Sequence, residues 1–452
     1  MSRHRMRPVD AAWLRMDTPL NLMVVTSAQW YDRPLDRTNL AQVLKERMID
    51  RFPRFSQRVV EDHGLWWEDV EDFDIEDRIH DQTLPEPAGL AELERAVGDQ
   101  VSVGLPWDRP LWDIYLIDRY QGGAAAIFRM HHAIADGFSL VRVLLSLTDD
   151  PSVEPVAIAP VSDEPTGWAD LTAHALRGAL SLVTHPLTVP KEVLGLANPM
   201  RLIDLAHTVV SDTRAAGKLL LLPPDHSTVL KGPLAREKQT VWTEPISVDD
   251  VKSSAKASTA TINDLLLAAV AGALRTYLVR RRSAVADVRA IVPFNLRPLD
   301  KPLPAELGNQ FGLVYLTLPV EAATHQERLD QMKHRMDAIK SSPEGLVAYG
   351  VLQILGMTPG PVEDLAIRIF TSKGTGVMTN VPGPRHPVTL AGSRLLGTIG
   401  WGPTSGDLGL GVGIFSYAGE ITVGFCVDKG LIPDVEVLRA DFMDELYALL
   451  KE

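Results

Sequence analysis

The sequence predicts an α+β protein of two halves, each with strand-like and helix-like stretches, joined by a helical crossover, and three observations carry that expectation. At 452 residues, with 45% hydrophobic and 23% charged residues, the chain is long enough for two or more core-bearing units and has an ordinary globular composition. Strand-like and helix-like stretches alternate through its first half. An apolar but proline-broken stretch then leads to a second half that opens on Val241-Trp242, continues into a long apolar helix and closes on a hairpin. The divisions read as 1–165, 166–235 and 236–452.

In the first lobe, Leu40, Val43, Leu44 and Met48 fall on one helical face that Pro53 ends. Ala124 to Met130 has strand length and character, and helical spacing resumes from Phe138 to Leu145. Between them, Met130-His131-His132-Ala133-Ile134-Ala135-Asp136-Gly137 sets two histidines at the end of an apolar run with an Asp-Gly pair just beyond. Side chains alternate faces along a strand, so His131 and His132 should point to opposite sides, one toward a cavity and the other packing or bracing. Asp136 is placed to cap the next helix, and Gly137 can take the positive φ of a sharp turn. A metal centre is the competing reading of His and Asp together. Ligands four apart are usually presented by a helix, however, and no further His/Cys/Glu cluster completes a tetrahedral shell.

Clustered Pro, Ser, Asp and Glu between Asp149 and Pro165 indicate a loop. From Ala173 to Leu222 the apolar text is interrupted by Pro186, Pro190 and Pro199, which suggests several short helices buried against the protein. In the second lobe, Thr261 with Asp264 three residues on is a capping-box-like start, and the residues from Leu265 to Val279 are apolar nearly all round. That helix should be central, and Arg280, Arg281 and Arg282 suit the negative end of its dipole. Asn263, at its start, is either a capping residue or a donor to a site. Leu329, Met332, Met336 and Ile339 make an amphipathic helix. Asn380 and Gly383 fall in a predicted turn, and Trp112 reads as core. Leu410–Tyr417 and Ile421–Val427 read as two strands joined through Ala418-Gly419.

Several function classes drop out on composition and context. A formal net charge of −13 opposes nucleic-acid binding and long-range attraction to an anionic bilayer. The single cysteine, Cys426, excludes an internal disulfide and fits a reducing cytoplasm; within a strand and without a neighbouring histidine it reads as structural. Arg3, Arg5 and Arg7 lead into no continuous apolar run, so a secretory signal is not expected. Leu265–Leu274 is far short of the ~20 residues a membrane span needs, leaving peripheral contact as the available form of membrane association. Gly409-x-Gly411-x-Gly413 runs into a strand instead of a phosphate-capping helix. Neither Ser393 nor Ser416 lies in a Gly-x-Ser-x-Gly elbow, and there is no Walker loop or fixed-period repeat.

His131-His132-x-x-x-Asp136-Gly137 resembles the HHxxxDG motif of the CoA-dependent acyltransferase superfamily, which includes chloramphenicol acetyltransferases, peptide-synthetase condensation domains and bacterial wax ester synthase/diacylglycerol acyltransferases. Other segments resemble the last group. Pro19-Leu20-Asn21-Leu22-Met23-Val24-Val25 is similar to its opening strand motif, with Asn21 where a histidine is frequent. Arg109-Pro110-Leu111-Trp112 resembles its PLW motif, and Thr261-Ile262-Asn263-Asp264 its ND motif. Thr379-Asn380-Val381-Pro382-Gly383-Pro384 and Ser416-Tyr417-Ala418-Gly419 resemble its two C-terminal signatures. In this order the motifs span nearly the whole chain.

The resemblance implies two chloramphenicol-acetyltransferase-like lobes, each a mixed sheet with packed helices, with a tunnel between them, His132 as general base, and Asp136 holding the loop without touching substrate. His131 and Gly137 complete the motif. Arg297, in Pro293-Phe294-Asn295-Leu296-Arg297-Pro298, is the candidate partner of Asp136, and Asn263 and Asp264 are candidate substrate-binding residues. Contact with CoA phosphates is the alternative role of Arg280, Arg281 and Arg282. Acyl-CoA is implied as co-substrate with no resident cofactor, and diacylglycerol or a long-chain alcohol as acceptor, taken up peripherally from a membrane or lipid-inclusion surface.

The chemistry fits a histidine. A thioester already has a good leaving group, whereas a neutral hydroxyl is a poor nucleophile, so a base is the missing ingredient. An imidazole with a pKa of ~6.5 is largely neutral near pH 7. Attack passes through an oxyanion that needs fixed donors, and the departing thiolate recovers the proton, so no acyl-enzyme is required. Two other readings compete: a stand-alone condensation-type acyltransferase esterifying a polyketide or peptide lipid, and a non-catalytic neutral-lipid-binding protein.

Overall fold

Two large sheets, each backed by helices, carry the site. The computed structural model describes residues 3–149, 158–159, 222–295, 302–340 and 367–451. The strands of the first half are β1 (Arg3–Arg5), β2 (Val24–Tyr31), β3 (Gln57–Glu61), β4 (Leu65–Asp69), β5 (Ile79–Asp81), β6 (Trp112–Tyr120), β7 (Gly123–His131) and β8 (Ile158–Ala159). Next come β9 (Lys238–Trp242), β10 (Ile246–Ser247), β11 (Val288–Asn295), β12 (Leu303–Pro304), β13 (Phe311–Leu318) and β14 (Gly376–Pro382). The last are β15 (Thr389–Leu390), β16 (Ser393–Trp401), β17 (Leu410–Tyr417) and β18 (Glu420–Asp428). The principal helices are α1 (Pro8–Arg15), α2 (Arg37–Leu44), α3 (Leu90–Val101), α4 (Gly137–Ser146), α5 (Val248–Ala257), α6 (Ile262–Arg280), α7 (His325–Lys340) and α8 (Val435–Lys451).

The first sheet has the order β15-β16-β2-β7-β6-β5, and the second β10-β18-β17-β14-β11-β13 with β9 beside β18. Both are mixed: β5 and β6 run parallel in the first, and β11, β14 and β17 are parallel in the second. The expected α+β class is therefore the observed one. A cut near residue 236 does not separate the lobes cleanly, because β16, from the second half, pairs with β2 from Leu395↔Tyr31 to Trp401↔Thr26. Most of the segment from Asp149 to Leu222, including the predicted short helices, lies outside the described residues.

Glycines let the sheets meet. A Cβ on Gly413 would sit 2.1 Å from the Gly400 carbonyl oxygen, and one on Gly424 2.7 Å from Ile399 and Trp401. These contacts lie far inside van der Waals range, so Gly413 on β17 and Gly424 on β18 reflect close approach to β16, whereas Gly409 makes room for Leu431. The hairpin between β17 and β18 turns where expected, with Ala418 at φ 50° and Gly419 at φ 88°, the two positive values a type I′ turn requires.

The helices obey their apolar periodicity. Leu40, Leu44 and Met48 are fully buried along α2 and the π-helical turn that continues it. Thr261 and Asp264 form the capping box of α6: the Thr261 N–H donates to Asp264 Oδ2 at 2.8 Å and the Asp264 N–H to Thr261 Oγ1 at 3.2 Å. Behind that cap, Leu265, Leu266, Leu274 and Leu278 are all fully buried, each contributing about 1.5–3 kcal/mol of hydrophobic stabilisation. Among the described residues α6 is the one helix long and apolar enough to cross a membrane, and it is packed in the second core against α7 and α8. Two of its terminal arginines meet acids beside or on α8: Arg280 bonds Asp441, and Arg281 Nη1 lies 3.3 Å from Asp434 Oδ1.

Candidate active site

The strand β7 ends at His131, and the chain turns through His132-Ala133-Ile134-Ala135 into α4. As the alternation predicts, the two histidines separate. His131 is fully buried and braces: its Nδ1 accepts the Ala133 N–H at 3.0 Å, which leaves Nε2 to donate to Asp17 Oδ2 at 3.2 Å. His132 faces a cavity of about 360 Å³ lined by both halves of the chain, within the 300–1,000 Å³ range usual for ligand sites. Its ring stacks on Trp13 of α1, centroids 4.2 Å apart, and lies 5.3 Å from Phe311 of β13.

These apolar walls set its charge. Burial pushes the His132 pKa down from 6.5 to about 4; the charge of Asp136 opposes the shift, His131 adds to it, and the Asn309 side chain and the ring's own carbonyl favour a proton. His132 Nδ1 and Asn309 Oδ1 are both buried without a hydrogen-bond partner among the described residues. The ring is thus neutral near pH 7, and any positive charge placed on it must be stabilised by Asp136, the Trp13 π-face and negative charge on a ligand.

Asp136 does what its position predicts: it caps α4, its Oδ1 accepting the Ser139 N–H at 2.8 Å. Its Oδ2 accepts the Gln310 N–H at 3.0 Å, from the second half of the chain. Arg297, the expected partner, lies outside the described residues. Gly137 departs from expectation. It does not hold a positive φ but is the first residue of α4, and a Cβ there would meet nothing within 4 Å. Its hydrogen leaves open space at the cavity wall, since the chain reverses through the preceding four residues and Asp136 already ends the turn.

A buried network holds the histidine loop, and it was not legible in the sequence. The Asn309 Nδ2 donates to the His132 carbonyl and to Asp10 Oδ1, both at 2.8 Å, and its N–H reaches the same Oδ1 at 3.0 Å. Arg54 donates to Asp10 Oδ2 at 2.9 Å and to the carbonyls of Ala133 and Ile134 at 3.1 and 3.3 Å. Asp10, Arg54 and Asn309 are all nearly solvent-free, so each charge depends on the others. The one available signal was Asp10 on the apolar face of α1, three residues before Trp13.

Of the ND pair, Asp264 is buried in the helix cap and does not line the cavity; Asn263 touches it indirectly, its Oδ1 accepting from Asn380 Nδ2 at 3.0 Å, and Asn380 is at the exposed margin of the cavity. Asn380 belongs to β14 and not to a turn, while Gly383 serves close approach, a Cβ there lying 2.5 Å from the Ser416 oxygen. Asn21, in the position of the frequent histidine, is buried and ties the lobes: it donates to the Gly406 and Leu408 carbonyls at 2.8 and 3.1 Å and accepts from Thr404 Oγ1 at 2.8 Å. Trp112 is core, its Nε1 donating to the Phe55 carbonyl at 2.7 Å. Burial pushes the Cys426 thiol up to about 12, which removes it as a nucleophile.

Comparison with known proteins places this geometry. Residues 6–266 match the family described as wax ester synthase/diacylglycerol acyltransferase catalytic domain, and residues 307–450 match the WS/DGAT C-terminal domain. A putative diacylglycerol O-acyltransferase of Mycobacterium tuberculosis is 25% identical over 99% of this chain and 90% of its own length. A probable diacylglycerol O-acyltransferase of the same species is 26% identical over 85% of this chain and 81% of its own. Among solved structures, the wax ester synthase/diacylglycerol acyltransferase from Marinobacter aquaeolei superposes with a TM-score of 0.67 at 20% identity, covering 98% of both chains. The first condensation domain of a calcium-dependent antibiotic synthetase gives 0.61 at 17% identity, covering 100% of this chain and 97% of that one, a likeness of fold.

Proposed function

The chain belongs to the wax ester synthase/diacylglycerol acyltransferase family, and on that premise we propose that it moves a fatty acyl group from acyl-CoA to the hydroxyl of diacylglycerol or a long-chain alcohol, with His132 as general base. One observation carries the reading: the ring of His132, neutral through burial, faces a large and mostly apolar cavity.

In this scheme the acceptor hydroxyl gives its proton to His132 while its oxygen attacks the thioester carbonyl. The C–S bond then breaks, and the imidazolium returns the proton to the CoA thiolate. A pKa near 4 makes His132 a weak base in the resting protein. The oxyanion appears in the same step as the imidazolium, however, and the two charges stabilise each other in a water-poor site, so the favourable interaction belongs to the transition state. Trp13 adds a π-face to the cation. Asp136 and Asn309 hold the loop without needing to touch substrate, and Asn263 acts through Asn380. Acyl-CoA is a co-substrate in this scheme, with no resident cofactor. Lipid reaches the cavity through peripheral contact with a membrane or inclusion surface.

The test is CoA release from palmitoyl-CoA with hexadecanol, dipalmitoylglycerol or no acceptor. Acceptor-dependent release is expected, and His132→Ala should lower kcat by roughly 10²–10⁴-fold. A folded His132→Ala protein with full turnover would reject the base. Absence of CoA release with every acceptor tried would favour a lipid-binding role.

A further inference from the structure

The central strand of the first sheet gives the cavity a polar wall. Alternation along β2 turns Val25, Ser27, Gln29 and Tyr31 inward, and all four line the cavity that holds His132. On the neighbouring β16, Thr398 lies opposite Gln29 in register and faces the same space. Elsewhere that space is bounded largely by apolar groups such as Phe128, Ile291, Leu313 and Val377.

A buried hydroxyl or amide costs free energy unless it is hydrogen-bonded. Tyr31 donates to Gln29 Oε1, which leaves the Gln29 amide as donor. Ser27 is only 8% exposed, and its Oγ is buried without a hydrogen-bond partner among the described residues. An apolar side chain at position 27 would line the cavity without leaving a buried hydroxyl unpaired.

Register locates the strip relative to the chemistry. Val24 pairs with His131, so at ~3.4 Å per residue Ser27 and Gln29 lie ~10 and ~17 Å along the strand from the end that carries His132. That separation is too great for the reacting hydroxyl or thioester. Resting on the acyl-transfer reading of this cavity, we infer that it selects a lipid chain bearing a hydroxyl or keto oxygen in its interior, bonded by Ser27 and the Gln29 amide.

The experiment compares kcat/KM for 12-hydroxystearoyl-CoA against stearoyl-CoA, with one fixed acceptor, in the wild type, Ser27→Ala and Gln29→Leu. The hydroxylated substrate should be preferred, and the ratio should fall roughly 5- to 100-fold in the variants. Ratios that stay the same in both variants overturn the inference. Binding supplies a readout without turnover: 12-hydroxystearate should quench the fluorescence of Trp13 and Trp401, which also line the cavity, at lower concentration than stearate. Equal quenching by the two acids in the wild type also overturns the inference. Preferential binding without CoA release under any condition would leave the polar wall standing and remove the acyl-transfer reading instead.

Discussion

Lowering the pH from 7.5 to 5.5 should cost this protein almost none of its catalytic base. A free imidazole of pKa ~6.5 would be about nine-tenths protonated at pH 5.5, reducing a base-dependent rate roughly tenfold. His132, held at about 4 by burial, would remain about 97% neutral there by the same titration relation. The assay is kcat/KM for CoA release between pH 4.5 and 8, since that quantity reports groups of the free enzyme. An acid limb with its midpoint near 6.5, in protein still folded, would refute the argument that Trp13 and Phe311 desolvate the ring. The same shift has a stability consequence of fixed sign. The unfolded chain takes up a proton on this histidine below pH ~6.5 while the folded chain does not. Stability is therefore lost as pH falls from ~6.5 toward 4, by about 3 kcal/mol in all from this group.

Three substitutions probe the supporting structure. Asn309→Ala should cost about 1–3 kcal/mol in denaturant unfolding, because it strips a donor from Asp10 and from the His132 carbonyl; it should also lower kcat more than it raises KM, and an unchanged kcat would show that the loop holds its shape without the clamp. Gly383→Ala should destabilise by about 1–3 kcal/mol, since the new methyl lands 2.5 Å from the Ser416 oxygen; an unshifted Tm would mean that β17 yields. Gly137→Ala should be neutral or stabilising by up to ~1 kcal/mol, because its φ is not positive and the methyl meets nothing. A loss of more than ~1 kcal/mol on thermal unfolding would restore the turn-glycine explanation.

The features legible in the sequence were those that repeat locally. The capping box at Thr261 and Asp264, the strand and helix on either side of the histidines, and the hairpin at Ala418-Gly419 each arise from spacing within a few residues. The opposite orientation of His131 and His132 came from strand alternation alone. The clamp on the loop was hidden because its parts are distant: Asp10, Arg54 and Asn309 meet across 299 residues of chain, and no local pattern marks a buried carboxylate shared by two donors. Asn21 was hidden for a similar reason, since its partners near residues 404–408 are fixed only when the lobes assemble. Gly137 misled because an Asp-Gly pair is so often a turn, whereas here the aspartate ends the turn and the glycine begins the helix.

The return of Ser393–Trp401 to the sheet where the chain began has a consequence for dissection. A fragment ending near residue 236 would leave β2 as a raw border with its amides and carbonyls facing water, ready to recruit whatever strand came by. The complementary piece would carry the missing border strand with the edge that meets β2 left unpaired. Neither piece should be well behaved in isolation, and the pair, produced together, would be expected to knit along that seam. The wall that bears Ser27 and Gln29 is likewise completed only once almost the whole polypeptide has been made, so a truncated chain would lack a finished chamber for lipid.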